Sequence, residues 1–314
     1  MSLRQELDRY LSVRRSLGYD LGTSERVLRR FVDFAEAEQA QHISTALFLR
    51  WQASFGQAGR QTWAARFGMA RLFSQWLHGL DPKHEALPRG LIPSHSRRTR
   101  PYIYNVEEIA AIVDAAAELP SIYGMRGHTC STLFGLIAAT GLRISEALGL
   151  DADDVDLNEG VLRIRRGKLG KERLIPVADS VTRRLRAYAV ERDRLLGLAS
   201  KPFFVTCDGD RIGDCCARYN FAVVCQRIGL RVPQQYGRHG RGPRIHDLRH
   251  SFAARTIIDW YRSGKDPSRE MIKLTTYLGH TSPENTYWYI EAVPELLELA
   301  SQRVEHSDDR EARR

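Results

Sequence analysis

The sequence predicts a mainly α protein with a small β-sheet (α+β), organised as two domains. Three observations carry this reading. Apolar residues recur at helical spacing along most of the chain; one pair of strand-like runs, 161–166 and 173–177, flanks a turn containing Gly and Lys; and a proline-rich stretch, "DPKHEALPRGLIPSHSRRTRP", breaks the pattern at 81–101. At 314 residues the chain exceeds the usual single-domain length, and each side of the break is long enough to bury a core.

The elements follow in order. Leu3, Leu7, Tyr10, Leu11 and Leu17 form a helical stripe that stops at Gly18. A second helix, from about Ser24, puts Val27, Leu28, Phe31 and Phe34 on one face, with Arg26, Arg29 and Arg30 elsewhere. A third covers 46–55, and a fourth carries Trp63, Phe67, Ala70, Phe73 and Leu77. Residues 1–80 therefore read as a four-helix domain with an aromatic core. Residues 81–104 read as a linker whose basic cluster is Arg97, Arg98 and Arg100. Asn105 and Glu108 have capping-box spacing ahead of a helix at 106–118, which opens a second domain, 105–304. Helices around 130–139 and 144–148 precede the hairpin. Further helices follow near 179–195, 215–228, 246–261, 270–278, 285–290 and 294–304, and 305–314 reads as a disordered polar tail.

Composition excludes several classes. The hydrophobic share of 43% and the charged share of 27% are those of a folded globular chain, with no apolar run near the ~20 residues of a membrane span. The opening "MSLRQELDRY" is charged, unlike a signal peptide, so the cytoplasm is expected. Five cysteines without a CxxC pair point to reduced thiols, with neither a disulfide framework nor a zinc ribbon. Net charge is +9, and residues 1–104 hold 16 Lys and Arg against 9 Asp and Glu, leaving only +2 for the remainder. A polyanionic partner that meets the first third of the chain is expected.

Four fragments could carry chemistry: "ATGLRISEALGL" with Arg143 and Glu146, "RGKLGKER" with Lys168 and Lys171, "PRIHDLRHSFA" with His246, Asp247, Arg249 and His250, and "LGHTSPENTYWY" with His280, Tyr287 and Tyr289. Breaking a phosphodiester without a metal requires a nucleophile, fixed positive donors at the non-bridging oxygens and an acid for the leaving oxygen. Arginine suits the second role because its planar fork meets phosphate oxygens bidentately and keeps its proton. Arg143 lies in an otherwise apolar stretch, where an i, i+3 pair with Glu146 is the plain structural alternative. His246 and Arg249, also i and i+3, share a helix face. The "HDLRH" spacing is reminiscent of a zincin helix, but Asp247 stands where that pattern has Glu, and no metal site is expected. Asp247 and His250 read as residues that orient their neighbours. Tyr287 and Tyr289, two apart on a helix, point about 200° from one another, so only one can face a given phosphate. Periodicity leaves open which.

In order and character the four fragments resemble the tyrosine recombinase (phage integrase) family over residues 105–295. That resemblance implies a helical core-binding (SAM-like) domain and a catalytic domain that form a C-shaped clamp around duplex DNA. It implies site-specific recombination without a cofactor, in service of a mobile element, through a 3′-phosphotyrosyl intermediate. The family's tyrosine falls nine residues after the LGH histidine, which selects Tyr289 and leaves Tyr287 and Trp288 as packing residues. Arg143, His246, Arg249 and His280 would stabilise the pentavalent phosphorus. Of the two hairpin lysines, the family's pattern matches Lys168 as the acid, with Lys171 beside it on DNA. Partners by resemblance are a duplex recombination site, three further copies in a tetramer on two duplexes, and other recombinases, on the nucleoid and away from membranes. Val293, Leu296, Leu297 and Leu299 would dock on a neighbouring protomer. A four-helix domain with no arm-binding domain ahead of it fits a short recombination site. A type IB topoisomerase, or a catalytically silent DNA-binding regulator of the same fold, is the alternative.

Overall fold

The computed structural model describes residues 2–54, 56, 58–93, 100–121, 124–165, 172–197, 200–234, 237–280, 282 and 284–311. Arg97, Arg98, Lys168 and Lys171 lie outside the described residues. The chain divides into two compact units, Met1–Thr99 and Arg100–Arg314.

The first unit consists of α1 (Leu3–Ser16), α2 (Gly22–Ala37), α3 (Thr45–Ser54) and α4 (Arg60–Leu80). Ser2 and Gln5 form a capping box at the start of α1. The core is aromatic: Phe31, Phe48, Trp51, Trp63 and Phe67 are buried, and the Trp51 and Trp63 rings stand at 90° with centroids 5.2 Å apart. The stretch read as a linker begins later than expected, because 81–93 still belong to this unit. Leu87 is buried in its core with Leu91 and Ile92 beside it, the His84 ring accepts the Ile43 N–H at 3.1 Å, and the Glu85 carboxylate accepts the Thr45 N–H at 2.8 Å. Three apolar residues among the prolines suffice to hold the segment down.

In the second unit α5 (Val106–Ala117) packs on α6 (Met125–Thr140), followed by α7 (Ile144–Leu148). The Asn105–Glu108 capping box forms as expected. An antiparallel sheet follows, β1 (Val155–Asp156), β2 (Val161–Ile164) and β3 (Arg173–Pro176), with Leu162 opposite Ile175 and both buried. Then come α8 (Asp179–Leu196), α9 (Asp214–Arg227), a short hairpin of β4 (Val232–Gln234) and β5 (Gly237–Arg241), α10 (Ile245–Arg262), α11 (Pro267–Leu278), α12 (Glu284–Ala292) and α13 (Pro294–Glu311). The β4–β5 hairpin escaped the sequence reading because "GRHGR" has no apolar alternation to mark a strand. Helix α13 runs seven residues past the predicted end, into the segment read as a disordered tail; no Gly or Pro after Pro294 stops it. Val293 and Leu296 bury against α10 of the same chain, while Leu297 stays half exposed. Among the described residues no helix is long and apolar enough to cross a membrane.

Two glycines fix how close the site-bearing elements can come. Gly141 caps α6 at φ +64°, and a Cβ there would sit 2.5 Å from the Phe252 ring and 2.9 Å from the Leu278 side chain. Gly279 caps α11 at φ +63°, and a Cβ there would meet the Arg173 guanidinium at 2.9 Å. Both positions need the left-handed region and the missing side chain. Gly141→Ala is predicted to destabilise the second unit by about 2–4 kcal/mol, the sum of overpacking and left-handed strain. Urea denaturation checks this, and an unchanged midpoint would refute the close-packing argument.

Candidate active site

An α-helix leaves its last carbonyls without intrahelical donors, and its dipole makes that end negative. At the end of α11 those carbonyls are taken by arginines from three other elements. Arg143, at the N-cap of α7, donates to Gly279 O at 2.9 Å and to Leu278 O at 3.4 Å. Arg249, from the first turns of α10, donates to Leu278 O at 2.7 Å and to Gly141 O at 2.6 Å. Arg173, opening β3, donates to Tyr277 O at 3.1 Å. These bonds use part of each guanidinium's five N–H donors and hold the remainder in place.

One carboxylate sits among them. Glu146, almost fully buried, accepts from Arg143 at 2.7 Å and from Arg173 at 3.0 and 2.9 Å, the latter a fork on both oxygens. Burial pushes its carboxyl up, but hydrogen bonds from Arg173 and Arg143 outweigh that and hold it below the ordinary range. Arg249 is 2% exposed, and burial together with the nearby Arg143 pulls its guanidinium down to about 10, still charged at neutral pH. Three cations thus share one anion among the described residues, which leaves a buried positive excess.

The remaining predicted residues gather beside this cluster. His280 directly follows Gly279, and its Nδ1 lies 2.7 Å from the Thr286 hydroxyl, itself 3.0 Å from the Thr275 hydroxyl. Asp247 accepts the Arg244 N–H at 2.6 Å, which ties down the start of α10. The His246 and His250 rings meet edge to face with centroids 4.7 Å apart, one turn apart on α10. Tyr289, only 2% exposed, points its hydroxyl at His250 Nδ1, 2.9 Å away, and its ring lies parallel to that of His280 at 6.5 Å. Tyr287 is 44% exposed, so its expected packing role is not seen; Trp288 does pack, at 5.5 Å from the Tyr289 ring. Arg100 is exposed on the second unit. Among the described residues no group of three His, Cys, Asp or Glu is placed to hold a metal ion.

Two residues of this arrangement escaped the sequence reading. Arg173 was visible as the last letter of "GKLGKER", and Thr286 lies inside "SPENTYWY", but neither has a spacing that announces what it touches. Chemically, the arrangement places arginine donors, half-buried imidazoles and a phenol around one point at the end of a helix, a set suited to an anionic, tetrahedral reacting group.

The imidazoles are held neutral. Burial, with Arg249 next, pushes His246 down to about 4; burial with His246 next pushes His250 to about 3; burial with Arg249 next pushes His280 to about 3. Between these values and the unfolded 6.5, the unfolded chain binds protons that the folded one refuses, so stability rises with pH there. The melting temperature is therefore predicted to fall as pH is lowered from about 6.5 to about 4. A melting temperature that rises over that window would contradict the burial of these rings.

Known proteins resemble the chain along most of its length. Residues 104–295 match the model of the phage integrase family. The protein y4rB of Sinorhizobium fredii, which bears an integrase/recombinase name, is 38% identical over 309 residues, 97% of each chain. Tyrosine recombinase XerC of Pelobacter propionicus is 28% identical, covering 95% of this chain and 91% of its own. The Tn1549 transposon integrase, solved in complex with transposon right end DNA, has a similar fold with TM-score 0.64 at 13% identity, covering 98% of this chain and 99% of its own. With the family model spanning well over half its length and a relative this similar end to end, the chain belongs to the phage integrase family of tyrosine recombinases, enzymes that break and rejoin DNA.

Proposed function

We propose that this protein is a site-specific recombinase that cuts and reseals duplex DNA through a 3′-phosphotyrosyl bond to Tyr289, in service of a mobile element. The observation that carries this is the convergence of Arg143, Arg249, His280 and Tyr289 around the end of α11. The scissile phosphate takes the place that the excess of guanidinium charge leaves unfilled. Arg143 and Arg249 bind its non-bridging oxygens and, with His246 and His280, stabilise the charge that builds on the pentavalent phosphorus. Tyr289 attacks, the 5′-oxygen leaves, and a hairpin lysine, Lys168 in the family's pattern, protonates it. Because the phenol is a competent leaving group, a 5′-hydroxyl from a second duplex can reverse the step without added energy. Exchange between two duplexes needs one such site on each of four strands, which supports a tetramer. The integrase name of y4rB and the transposon end bound by the Tn1549 integrase support the mobile-element role.

The first unit supplies the grip on the duplex. Several of its arginines are spent on carboxylates: Arg4 on Asp33 and Glu36, Arg29 on Glu25 and Asp8, and Arg50 on Glu38. Arg26, Arg30 and Arg66 line one groove of about 270 Å³ with Thr23, Thr62 and Trp51, and Arg66 lies over the Trp63 ring at 4.7 Å. A groove that gathers three guanidiniums beside hydroxyl groups fits a phosphate backbone.

Two expected outcomes follow from this reading. A duplex nicked beside the cleavage point traps the covalent complex, and peptide mapping should place the adduct on Tyr289. Tyr289→Phe should bind DNA and form no adduct, whereas Tyr287→Phe should remain active. An adduct on Tyr287 would overturn the assignment, relaxation of supercoils without strand exchange would favour a topoisomerase, and DNA binding with no adduct at all a silent regulator. For the groove, joint replacement of Arg26, Arg30 and Arg66 with Ala should weaken binding to unrelated duplexes as well. It should also reduce the slope of log K against log salt by ~0.9 for each phosphate that is no longer neutralised. An unchanged slope would remove the groove from the interface.

A further inference from the structure

His250 stands one residue beyond Arg249 on α10, and its Nδ1 lies 2.9 Å from the Tyr289 hydroxyl, within the reach of a proton transfer. The contact is built from both sides. The His250 ring is held edge to face by His246 at 4.7 Å and by Trp288 at 5.7 Å, while the Tyr289 ring is locked in the apolar cluster of α10 to α13. The His280 ring stacks on that of Tyr289 at 6.5 Å and bonds Thr286 through Nδ1. Nothing in the roles assigned above removes the phenolic proton, although a neutral phenol is a poor nucleophile.

We propose that His250 is the base that takes the proton of Tyr289 as the tyrosine attacks the phosphate, and that returns it when the phosphotyrosyl bond is broken. This rests on Tyr289 being the nucleophile. In the forward step the phenolic O–H bond breaks and an Nδ1–H bond forms on His250. The phenolic oxygen then makes the bond to phosphorus, the bond to the 5′-oxygen breaks, and that oxygen takes its proton from the hairpin acid. In the reverse step each proton retraces its path.

The surroundings keep the imidazole ready to accept. The groups facing it are His246, Arg244, Asp247 and Arg249 of α10, His280 after α11, and Tyr289 with Trp288 of α12. Burial first, and then the basic neighbours, hold the ring neutral in the free protein. A phosphodiester arriving beside Arg143 and Arg249 brings negative charge to these neighbours and moves the imidazole back toward the range in which it can hold a proton.

The test is single-turnover adduct formation, followed from pH 5.5 to 8.5, on a nicked duplex carrying a site that the wild-type protein binds. His250→Gln keeps the size and a hydrogen bond to the phenol but cannot take a proton. It should slow adduct formation by about 10²–10⁴-fold at unchanged duplex affinity and abolish the rise of the wild-type rate with pH. His250→Ala should regain rate when imidazole is added. A structural role would lower thermal stability and duplex affinity along with the rate, and imidazole would not help. His250→Gln reacting at the wild-type rate or faster overturns the proposal, as does His250→Ala that binds the duplex yet gains nothing from imidazole. Failure of the wild type itself to label Tyr289 overturns the nucleophile assignment as well, and is told apart because it precedes any change at His250.

Discussion

Three guanidiniums gathered on the carbonyl end of one helix form the constraint on which the second unit depends. Burying a cation is tolerable only if its donors are matched, and Arg143, Arg173 and Arg249 find their acceptors at residues 141 and 277–279 and in Glu146. Bringing α7, β3, α10 and α11 to one point leaves no room for a Cβ at Gly141 or Gly279, and both glycines take the left-handed conformation there. Tyr277, the residue whose carbonyl receives Arg173, packs against both apolar clusters of this unit. The charged cluster and the seam between the two cores are therefore one structure.

The cost of that arrangement points to its use. Replacing buried ion pairs with apolar side chains is often neutral or stabilising, so a fold selected for stability alone has little reason to keep three arginines against one glutamate. Neutral histidines around them add no charge to the excess. The site is left short of an anion, and in the proposed reaction a phosphodiester would supply one, with more charge as phosphorus becomes pentavalent. Preorganised donors of this kind need no reorganisation when that charge appears.

How much of this was legible in the sequence depended on whether a feature was local. The capping box at Asn105 and the hairpin of the 161–166 and 173–177 runs are fixed within a few residues, and each was readable. Arg173 and Thr286 acquire meaning only from what the chain brings to them, Glu146 from 27 residues away and His280 across the α11–α12 connection. His250 was read as a residue that orients neighbours; its ring contacts that of His246, and its bond to Tyr289 required the packing of α12 on α10. The choice between Tyr287 and Tyr289 could not come from periodicity, since Ile290, Val293 and Leu297 allow either one to lie near the core stripe. In the fold they separate sharply, at 44% and 2% exposed.

The burial of Tyr289 ties its phenol to the C-terminal helices. Its ring belongs to the same cluster as Ile257 and Leu274 and as Val293 and Leu296 at the start of α13. A side chain in a close-packed cluster cannot shift without its neighbours, so the position of the phenol and the seating of α13 are governed by the same contacts. The hydroxyl is held from the other side by His250, on the helix that also carries Arg249. Tyr289 is thus fixed at both ends of its ring, by apolar packing from the C-terminal helices and by a hydrogen bond to the helix that carries the buried Arg249.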